Sequence, residues 1–238
     1  MADYHAAQVT PYGRRDVELV TRLLATMTPD LEAEELENVA ALEDSVIPVV
    51  IEMERNALLL DVEKLNRWVL ESEREATKLS WQLIEDAGFR CDPARGADLQ
   101  CLFEREKIDV IKFSEKTGKP SFDAEVMAQA AKHSPVINLA YTINKIHSLR
   151  SKYLVCYQRC VDHKGLIRSS FHQLRADEGG TVSGRFSSSA PMKDDPTSGI
   201  NCQQIFAVQK QIKMLGDRWI IRELYISEPG KLFYGSDA

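Results

Sequence analysis

The chain carries near its C-terminus the block Thr181-Val182-Ser183-Gly184-Arg185-Phe186-Ser187-Ser188-Ser189, then Asn201-Cys202-Gln203-Gln204-Ile205, and finally Lys231-Leu232-Phe233-Tyr234-Gly235-Ser236-Asp237-Ala238. The third block follows the turn residues Pro229-Gly230, and its apolar run predicts a short buried strand. That strand would deliver one carboxylate, Asp237, at its C-terminal end. By spacing alone, an ordinary tail residue explains Asp237 equally well, so its interpretation depends on the segments before it.

An antiparallel hairpin is predicted upstream of these blocks. Residues 166–174 change from helical to extended character, and Asp177-Glu178-Gly179-Gly180 supplies the residues that hairpin turns favour. Thr181-Val182-Ser183 would then return beside the first strand. A further strand is predicted over Ile221–Ile226, before the turn at Pro229-Gly230.

Helices are predicted for most of the remaining chain. One follows Tyr12 and ends at Pro29, and a second runs from Val46 to Leu60. Asp61 is a suitable N-cap for a long third helix, which Gly88 would end. Asp92-Pro93 would start a fourth helix, and the longest would run from Pro135 to Gly165. Long helices followed by antiparallel strands predict an α+β fold.

The apolar positions of the two long helices give the expected core. In the helix after Asp61 they are Leu65, Trp68, Val69, Ala76, Leu79 and Leu83. In the helix after Pro135 they are Val136, Leu139, Ile143, Ile146, Tyr153 and Tyr157. Both sets recur at the three- and four-residue spacing of one helix face.

The composition is typical of a globular protein. With 238 residues, 44% of them hydrophobic and 28% charged, the chain can bury the core of one or two domains. We find no apolar run long enough to span a membrane and no signal-peptide pattern, so we expect no membrane partner and a cytoplasmic location. The five cysteines lack metal-ligand spacing, which favours reduced thiols over a zinc site or disulfides.

Charge is distributed unevenly along the chain. The net charge of −6 argues against a protein that is basic throughout, and the stretch from Asp30 to Glu54 contains no Lys or Arg. Basic residues are concentrated instead between Lys145 and Arg168, where Asp162 alone opposes them. Such a local cluster favours a polyanionic partner over the alternative of a solvated helix face.

Five segments in this order resemble the family A (polymerase I type) DNA polymerases. They are Tyr12-x-x-x-Asp16, the segment from Ile47 to Asn56, Leu149-Arg150-Ser151-Lys152-Tyr153, the first two blocks quoted above, and Ser236-Asp237-Ala238. The resemblance implies the end of a 3′–5′ exonuclease domain over residues 1–40, a helical thumb over 41–165 and the first part of a palm over 166–238. It also implies a protein of a bacterial or phage-infected cell.

The resemblance assigns DNA-binding roles to individual residues. Arg185, Asn201, Gln203 and Gln204 would contact the minor groove of primer–template DNA, where every correct base pair presents N3 and O2 acceptors. His172 and Gln173 are weaker candidates, and a hydrogen-bonded core histidine explains His172 equally well. Phosphate contacts would come from the long helix and the thumb tip, through Lys145, Arg150, Lys152, Lys116 and Lys119.

The resemblance implies metal chemistry at two places. Asp237 would bind two Mg²⁺ ions and the carbonyl of Ala238 would bind one of them, as in two-metal nucleotidyl transfer. The chain contains only this one carboxylate of that site. Tyr12 and Asp16 would be the third exonuclease motif, although a solvated helix start explains the same spacing, and no intact nuclease site is expected.

The chain departs from the family pattern at four places. Ala57 stands where the family usually has Gly, Ser183 replaces Thr, Phe206 replaces Pro, and the link over 190–200 is longer than usual. Asp194 and Asp195 within that link could be mistaken for a metal pair. Because they lie in a predicted loop beside Pro196, we interpret them as solvated.

The implied function is DNA-directed DNA polymerisation by a larger assembly. This chain would bind primer–template DNA and supply Asp237, whereas a C-terminal polypeptide would supply the fingers, the remaining palm and the dNTP site. Alone, the chain is expected to be inactive. A split polymerase, an intein or intron boundary and an incomplete reading frame all remain open. The main alternative is a non-catalytic DNA-binding clamp; a purely structural helical protein is disfavoured by the pattern from Arg185 to Gln204.

Overall fold

Helices form most of the structure, a computed structural model that describes residues 6–115, 118–173, 184–192, 194–195 and 197–234. Eight α-helices and four short strands occur among these residues, which confirms the predicted α+β class. The chain divides into two compact units, one up to Met53 and the other from Glu54 onward. The domain boundaries expected from the sequence, after residues 40 and 165, stay a prediction.

Two helices account for the first unit: α1 (Ala6–Ala33) and α2 (Glu37–Asn56), whose last residues belong to the second unit. The predicted helix end at Pro29 is wrong, because α1 continues to Ala33. A proline removes one backbone donor from a helix interior. The neighbouring Thr28 hydroxyl donates to the carbonyl of Leu24 at 2.8 Å, within the turn that Pro29 interrupts.

The chain leaves α2 at Ala57, whose φ is 56°. This left-handed conformation ends the helix at Asn56, so the predicted extension to Leu60 is wrong. Leu58–Leu59 instead form strand β1, which pairs antiparallel with β2 (Leu166–Ile167). Glycine would adopt this positive φ without a Cβ clash, whereas the Cβ of Ala57 strains it.

Helix α3 (Val62–Ala87) begins and ends at the predicted residues. The Oδ1 atom of its N-cap, Asp61, accepts a hydrogen bond from the Lys64 backbone N–H at 2.8 Å. Its C-cap, Gly88, has the left-handed φ of 68°. The predicted apolar face is confirmed, because five of its six positions are buried and Leu79 is half-buried.

Two short helices follow: α4 (Gly96–Arg105) and α5 (Ala124–Ala130). The predicted helix start at Asp92-Pro93 is wrong, because the Asp92 carboxylate accepts from the Ala94 backbone N–H at 3.0 Å and closes a turn there. Residues 112–115 and 118–121 form a loop in which Phe113 and Pro120 make an isolated antiparallel bridge.

The next helical segment runs from Pro135 to Cys160 and changes its winding midway. It consists of α6 (Pro135–Leu149), a π-helical turn (Arg150–Leu154) and α7 (Val155–Cys160). The predicted end at Gly165 is wrong, because residues 162–166 form a turn in which the Asp162 carboxylate accepts from the backbone N–H groups of Lys164 and Leu166. The segment is also shorter than α1, which at 28 residues is the longest helix described.

The π-helical turn explains why the buried face of this segment differs from the predicted one. The buried positions of α6 are Ile137, Ala140, Ile143, Ile146 and Leu149, whereas Val136 and Leu139 are not fully buried. Beyond the turn, Tyr153 and Tyr157 are buried as predicted. Ile143 and Ile146 are buried as predicted, but the pattern misplaced Val136 and Leu139, because a single 3.6-residue period cannot fit both sides of a π turn.

A second two-stranded sheet follows α7. Strand β3 (Ser170–His172) pairs antiparallel with β4 (Ser187–Ser189), with Phe171 opposite Ser188. This confirms extended structure in the first half of the predicted hairpin. The predicted turn at 177–180 and the returning segment 181–183 lie outside the described residues.

The predicted strand over Ile221–Ile226 is wrong for its first four residues, whereas Tyr225 makes an isolated antiparallel bridge with Leu60. After helix α8 (Val208–Leu215), residues Ile221–Leu224 form a 3₁₀ turn instead. The fully buried Gln211 side chain explains this difference. Its Nε2 donates to the Trp219 carbonyl, and its Oε1 accepts from the Ile221 backbone N–H at 3.0 Å, so that backbone donor is not available to a strand.

The buried strand predicted before Asp237 is not observed in the described part of its sequence. Leu232, Phe233 and Tyr234 are 92%, 64% and 91% exposed, respectively. Among the described residues no strand pairs with this segment, and a single strand without a partner is not stable.

Two hydrophobic clusters form the core of the second unit. One gathers the start of α3, α7 and residues around Trp219; the other gathers the end of α3, α4, α5 and the start of α6. Leu79 of α3 packs against both clusters. All five cysteines are free thiols. No helix within the described ranges is long and apolar enough to cross a bilayer.

Candidate nucleic-acid interface

Two segments that are distant in sequence meet at strand β4. Asn201 caps the 3₁₀ turn Cys202–Gln204, and its Oδ1 accepts from the Gln203 backbone N–H at 3.1 Å and from the Ser188 hydroxyl at 2.6 Å. The Gln203 side chain accepts from the Ser188 backbone N–H at 3.1 Å and donates to the Phe186 carbonyl at 2.6 Å. Both amides therefore hold this turn against β4.

Arg185, Gln203 and Gln204 are exposed on this surface, but the Gln203 amide is already used in its bonds to Ser188 and Phe186. Arg185 lies just before β4. The backbone of Gln204 is fixed by Tyr153, whose hydroxyl donates to the Gln204 carbonyl at 2.7 Å. A guanidinium and an amide both donate hydrogen bonds, so this surface offers donors of the kind that groove acceptors require.

An open cleft of about 730 Å³ adjoins the 3₁₀ turn. It is lined by Lys152 and Tyr153 of the long helical segment and by Phe206 and Lys210. The rings of Phe206 and Tyr153 are 4.9 Å apart, and the Lys210 Nζ lies 5.6 Å from the Phe206 ring. Because Lys152 and Lys210 are both exposed, the cleft has an aromatic wall and a positively charged rim.

The other two predicted basic residues of the long helix, Lys145 and Arg150, are partly buried. The Arg150 side chain is 14% exposed; its Nη1 donates to the Val69 carbonyl and, at 2.7 Å, to the Ser72 hydroxyl. Its Nη2 lies 3.4 Å from the Glu73 carboxylate. The Lys145 Nζ lies 3.9 Å from the centre of the Tyr141 ring, and partial burial lowers the pKa of Lys145.

The weaker candidates His172 and Gln173 lie at the end of β3. His172 is half-buried, and its Nε2 is 2.8 Å from the Ser189 hydroxyl on β4. This is the geometry of a hydrogen-bonded histidine inside a sheet. Gln173 follows it and is also half-buried.

Of the two lysines predicted to contact phosphates at the thumb tip, Lys116 and Lys119, the structure describes Lys119. Lys119 is exposed, and its carbonyl accepts from the Ser114 backbone N–H at 2.8 Å. The nearby Lys112 forms a 2.6 Å ion pair with Asp123, and this bond raises the pKa of Lys112 and lowers that of Asp123. Lys116 lies outside the described residues.

The metal-binding predictions fall mostly outside the described structure. Asp237 and Ala238 are not among the described residues, and those residues contain no group of three Asp, Glu, His or Cys side chains that could hold a metal. Asp194 is exposed, and the Asp195 carboxylate accepts from the Thr197 N–H at 2.8 Å, which is consistent with a solvated loop. The described residues by themselves therefore do not fit a Mg²⁺ site.

The predicted exonuclease pair lies on α1. Tyr12 is 57% exposed, and Asp16, one helical turn further along, is also exposed. Within the described part of the chain, neither side chain belongs to a metal-binding group.

Sequence reasoning missed three residues of this surface: Ser188, Tyr153 as a hydrogen-bond donor, and Lys210. Ser188 stands in a run of three serines, which carries no signal for a buried hydrogen-bond centre. Lys210 lies on α8, which is not among the helices predicted from the sequence. The apolar spacing of Val208, Ile212 and Leu215 could have predicted that helix.

No protein-family model matches the chain, but individual relatives align along most of it. A DNA-directed DNA polymerase of Pseudomonas phage M6 is 26% identical over 244 residues, covering 96% of this chain and 33% of that protein. DNA polymerase DpoZ of Vibrio phage phiVC8 is 23% identical over 240 residues, covering 96% and 35%. The thermostable DNA polymerase I of Thermus thermophilus is 28% identical over 177 residues, covering 73% and 21%.

The fold is similar to a solved structure, the POL domain of Pol1 from M. smegmatis in complex with DNA primer-template and dNTP. The TM-score is 0.62 at 18% identity, and the match covers 83% of this chain and 32% of that one. This chain spans about a third of the length of the two phage relatives. The relatives that align with this chain are family A DNA polymerases, the polymerase I type.

Proposed function

We propose that this chain forms the primer–template-binding part of a DNA-directed DNA polymerase. The observation that carries the proposal is the surface around β4, where Arg185 and Gln204 are exposed beside a cleft with Lys152 and Lys210 at its rim. Groove acceptors common to all base pairs need donors such as these, and phosphates need the lysines. The POL domain to which the fold is similar was solved in complex with DNA primer-template, which supports the same partner here.

In this proposal the predicted residues have different tasks. Arg185 and Gln204 contact the minor groove, while Asn201 and Gln203 hold the turn that presents Gln204. Lys152 and Lys210 attract the phosphate backbone. Further phosphate or groove contacts are proposed for Lys145, His172, Gln173, Lys116 and Lys119. Arg150 positions the helical segment through its bonds to α3.

Nucleotidyl transfer requires groups beyond those described here. We assign to Asp237 the binding of Mg²⁺, with the Ala238 carbonyl as a further ligand, and to a C-terminal polypeptide the fingers, the remaining palm and the dNTP site. In the phage relatives about two thirds of the length lies outside the match to this chain, which leaves room there for these groups. The exposed apolar side chains of Leu232, Phe233 and Tyr234 also support it, since a neighbouring strand would cover them.

The DNA-binding part is tested by titrating a fluorescent primer–template duplex with the wild-type chain and variants. Arg185→Ala should bind about tenfold more weakly, because hydrogen bonds from a charged donor are worth about 1.5–3 kcal/mol. Arg14→Ala, which removes the same charge from exposed α1, is the matched control. Equal affinity of wild type and Arg185→Ala would reject the proposed interface.

The catalytic part is tested by primer extension with Mg²⁺ and dNTPs, using the chain alone and together with a candidate C-terminal polypeptide. We expect extension only from the pair, and none when Asp237 is replaced by Ala. Extension by the chain alone would contradict this division of labour. Duplex binding that is lost in Arg185→Ala, without extension by the pair, would favour the non-catalytic clamp.

A further inference from the structure

A cavity of about 720 Å³ between α3 and α6 lies outside the proposed duplex surface. Trp81 lies at this cavity and is 65% exposed, whereas the two other tryptophans of the chain, Trp68 and Trp219, are each 7% exposed. An exposed indole gains little from folding, since most of its apolar surface stays in water. The ring is therefore a free aromatic surface available to a ligand.

Two cationic or titratable side chains lie at the same cavity. Arg90 and His147 both line it and are both exposed, and neither makes a hydrogen bond or ion pair through its side chain within the described residues. Arg150 also lines the cavity, but its guanidinium is occupied by Val69, Ser72 and Glu73 and so forms part of the wall. The cavity thus combines an aromatic face with a guanidinium that is available to an anion.

This combination fits an unpaired nucleic-acid strand. Unpaired bases stack on exposed aromatic side chains whatever their sequence, because every base has a π-face, and nearby cations bind the backbone phosphates. In a duplex the faces of internal bases are covered by their neighbours, so an indole gains this contact only from an unpaired or terminal base. Because Arg90 supplies positive charge at the same cavity, a nucleic-acid strand is favoured over an uncharged apolar partner.

The cavity is connected to the proposed duplex surface. It shares His147 and Arg150 with a cavity of about 440 Å³, which is also lined by Arg159. That second cavity shares Ser151 and Cys156 with the cleft of Lys152 and Lys210. The three cavities therefore follow one another along the segment from α6 to α7.

We propose that Trp81, Arg90 and His147 bind an unpaired nucleic-acid strand that leaves the duplex along this path. Trp81 stacks on a base, Arg90 binds a backbone phosphate, and His147 lines the approach from the duplex surface. The path to the duplex rests on the proposed function; the stacking site at Trp81 stands on its own geometry.

The test uses the intrinsic fluorescence of Trp81, the one exposed tryptophan among the described residues. A thymidine oligonucleotide should quench the wild-type emission and protect it from iodide, and Trp81→Phe should abolish this response. Trp81→Ala should weaken oligonucleotide binding about tenfold, the range of one lost base–aromatic stack. Arg90→Ala should weaken it and reduce its salt dependence. Leu70→Ala, which removes another exposed apolar side chain of α3, should change nothing.

The controls separate this inference from the proposed function. Dextran sulfate, a polyanion without bases, should not quench Trp81, and a blunt duplex should bind to the chain with little quenching. Equal quenching by either, or unchanged oligonucleotide affinity in Trp81→Ala and Arg90→Ala, would overturn the stacking site. If the wild-type chain fails to bind a blunt duplex but its fluorescence is still quenched by the oligonucleotide, the proposed duplex function is rejected and the stacking site is supported.

Discussion

Ala57 shows how one residue fixes the course of the chain between two elements. Its φ of 56° lies in a region where L-residues are strained by their Cβ, yet it allows the chain to leave α2 and pair as β1 with β2. Glycine would adopt this φ without a Cβ clash. The strand pairing after Ala57 and the Asp61 cap fix the surrounding backbone.

Replacing Ala57 with Gly should therefore stabilise the protein. Removing the Cβ relieves left-handed strain, and we expect the free energy of unfolding to rise by about 0.5–1 kcal/mol, measured by urea denaturation. Ala128→Gly, inside helix α5, is the control and should instead lower stability by up to about 1 kcal/mol. A loss of stability in Ala57→Gly would show that the strain is not present.

Arg150 and Lys152 lie within one helical turn but have different expected roles. Arg150 stabilises the fold, and Lys152 is proposed to bind DNA. Arg150→Met should lower the free energy of unfolding by about 2 kcal/mol, since it leaves the partly buried partners Val69 and Ser72 without their charged donor. Lys152→Met should change stability by less than about 0.5 kcal/mol and weaken duplex binding. Urea denaturation and duplex titration of both variants check this. The reverse pattern, a stable Arg150→Met that fails to bind DNA, would make Arg150 a direct DNA contact.

At the scale of elements, local signals were predictable and remote ones were not. The caps at Asp61 and Gly88 depend only on neighbouring residues, and both ends of α3 were predicted correctly. The 3₁₀ turn at Ile221–Leu224 depends on Gln211, ten residues away from its first donor, and the turn at Cys202–Gln204 depends on Ser188. Such side-chain contacts across elements leave no periodic pattern in the sequence. The same limit applies to the candidate interface. The sequence indicated Asn201, Gln203 and Gln204 as candidates, but not that the side chains of Asn201 and Gln203 bond to β4.

The turn between α7 and β2 depends on one carboxylate, which gives it a pH dependence. Desolvation of the Asp162 carboxyl would raise its pKa, but hydrogen bonds from the Leu166 N–H, the Arg168 guanidinium and the Lys164 N–H outweigh this and lower it to about 2. The unfolded value is about 3.9. A pKa lowered by folding means that ionised Asp162 stabilises the folded state above pH about 4. This contribution is lost as the pH falls from about 4 to about 2.

Asp162→Asn tests this dependence. The variant should be less stable than wild type at neutral pH, and the two free energies of unfolding should converge as the pH is lowered from about 4 to about 2. Urea denaturation at a series of pH values measures the difference. A stability difference that stays constant down to about pH 2 would show that the charge of Asp162 does not hold the turn.

At the scale of the whole molecule, the negative net charge argues against a nucleic-acid partner, whereas the local distribution of charge favours one. The chain carries −6 overall, with an acidic stretch that has no Lys or Arg from Asp30 to Glu54. The exposed lysines at the cleft, Lys152 and Lys210, and the exposed Arg185 all belong to the second unit. Composition alone would have argued against a nucleic-acid partner. The distribution of charge along the chain predicted the basic helix, and the fold adds Lys210 to the same cleft.

The salt dependence of primer–template binding by the wild-type chain, measured by fluorescence anisotropy, tests the proposed DNA-binding surface most directly. The logarithm of the association constant should fall linearly with the logarithm of salt concentration. Replacing Lys152 and Lys210 together by Ala should reduce the slope by about 2, or about one phosphate contact per lysine. Absence of duplex binding at low salt, or a slope that the double substitution leaves unchanged, would contradict the assignment of this surface to primer–template DNA.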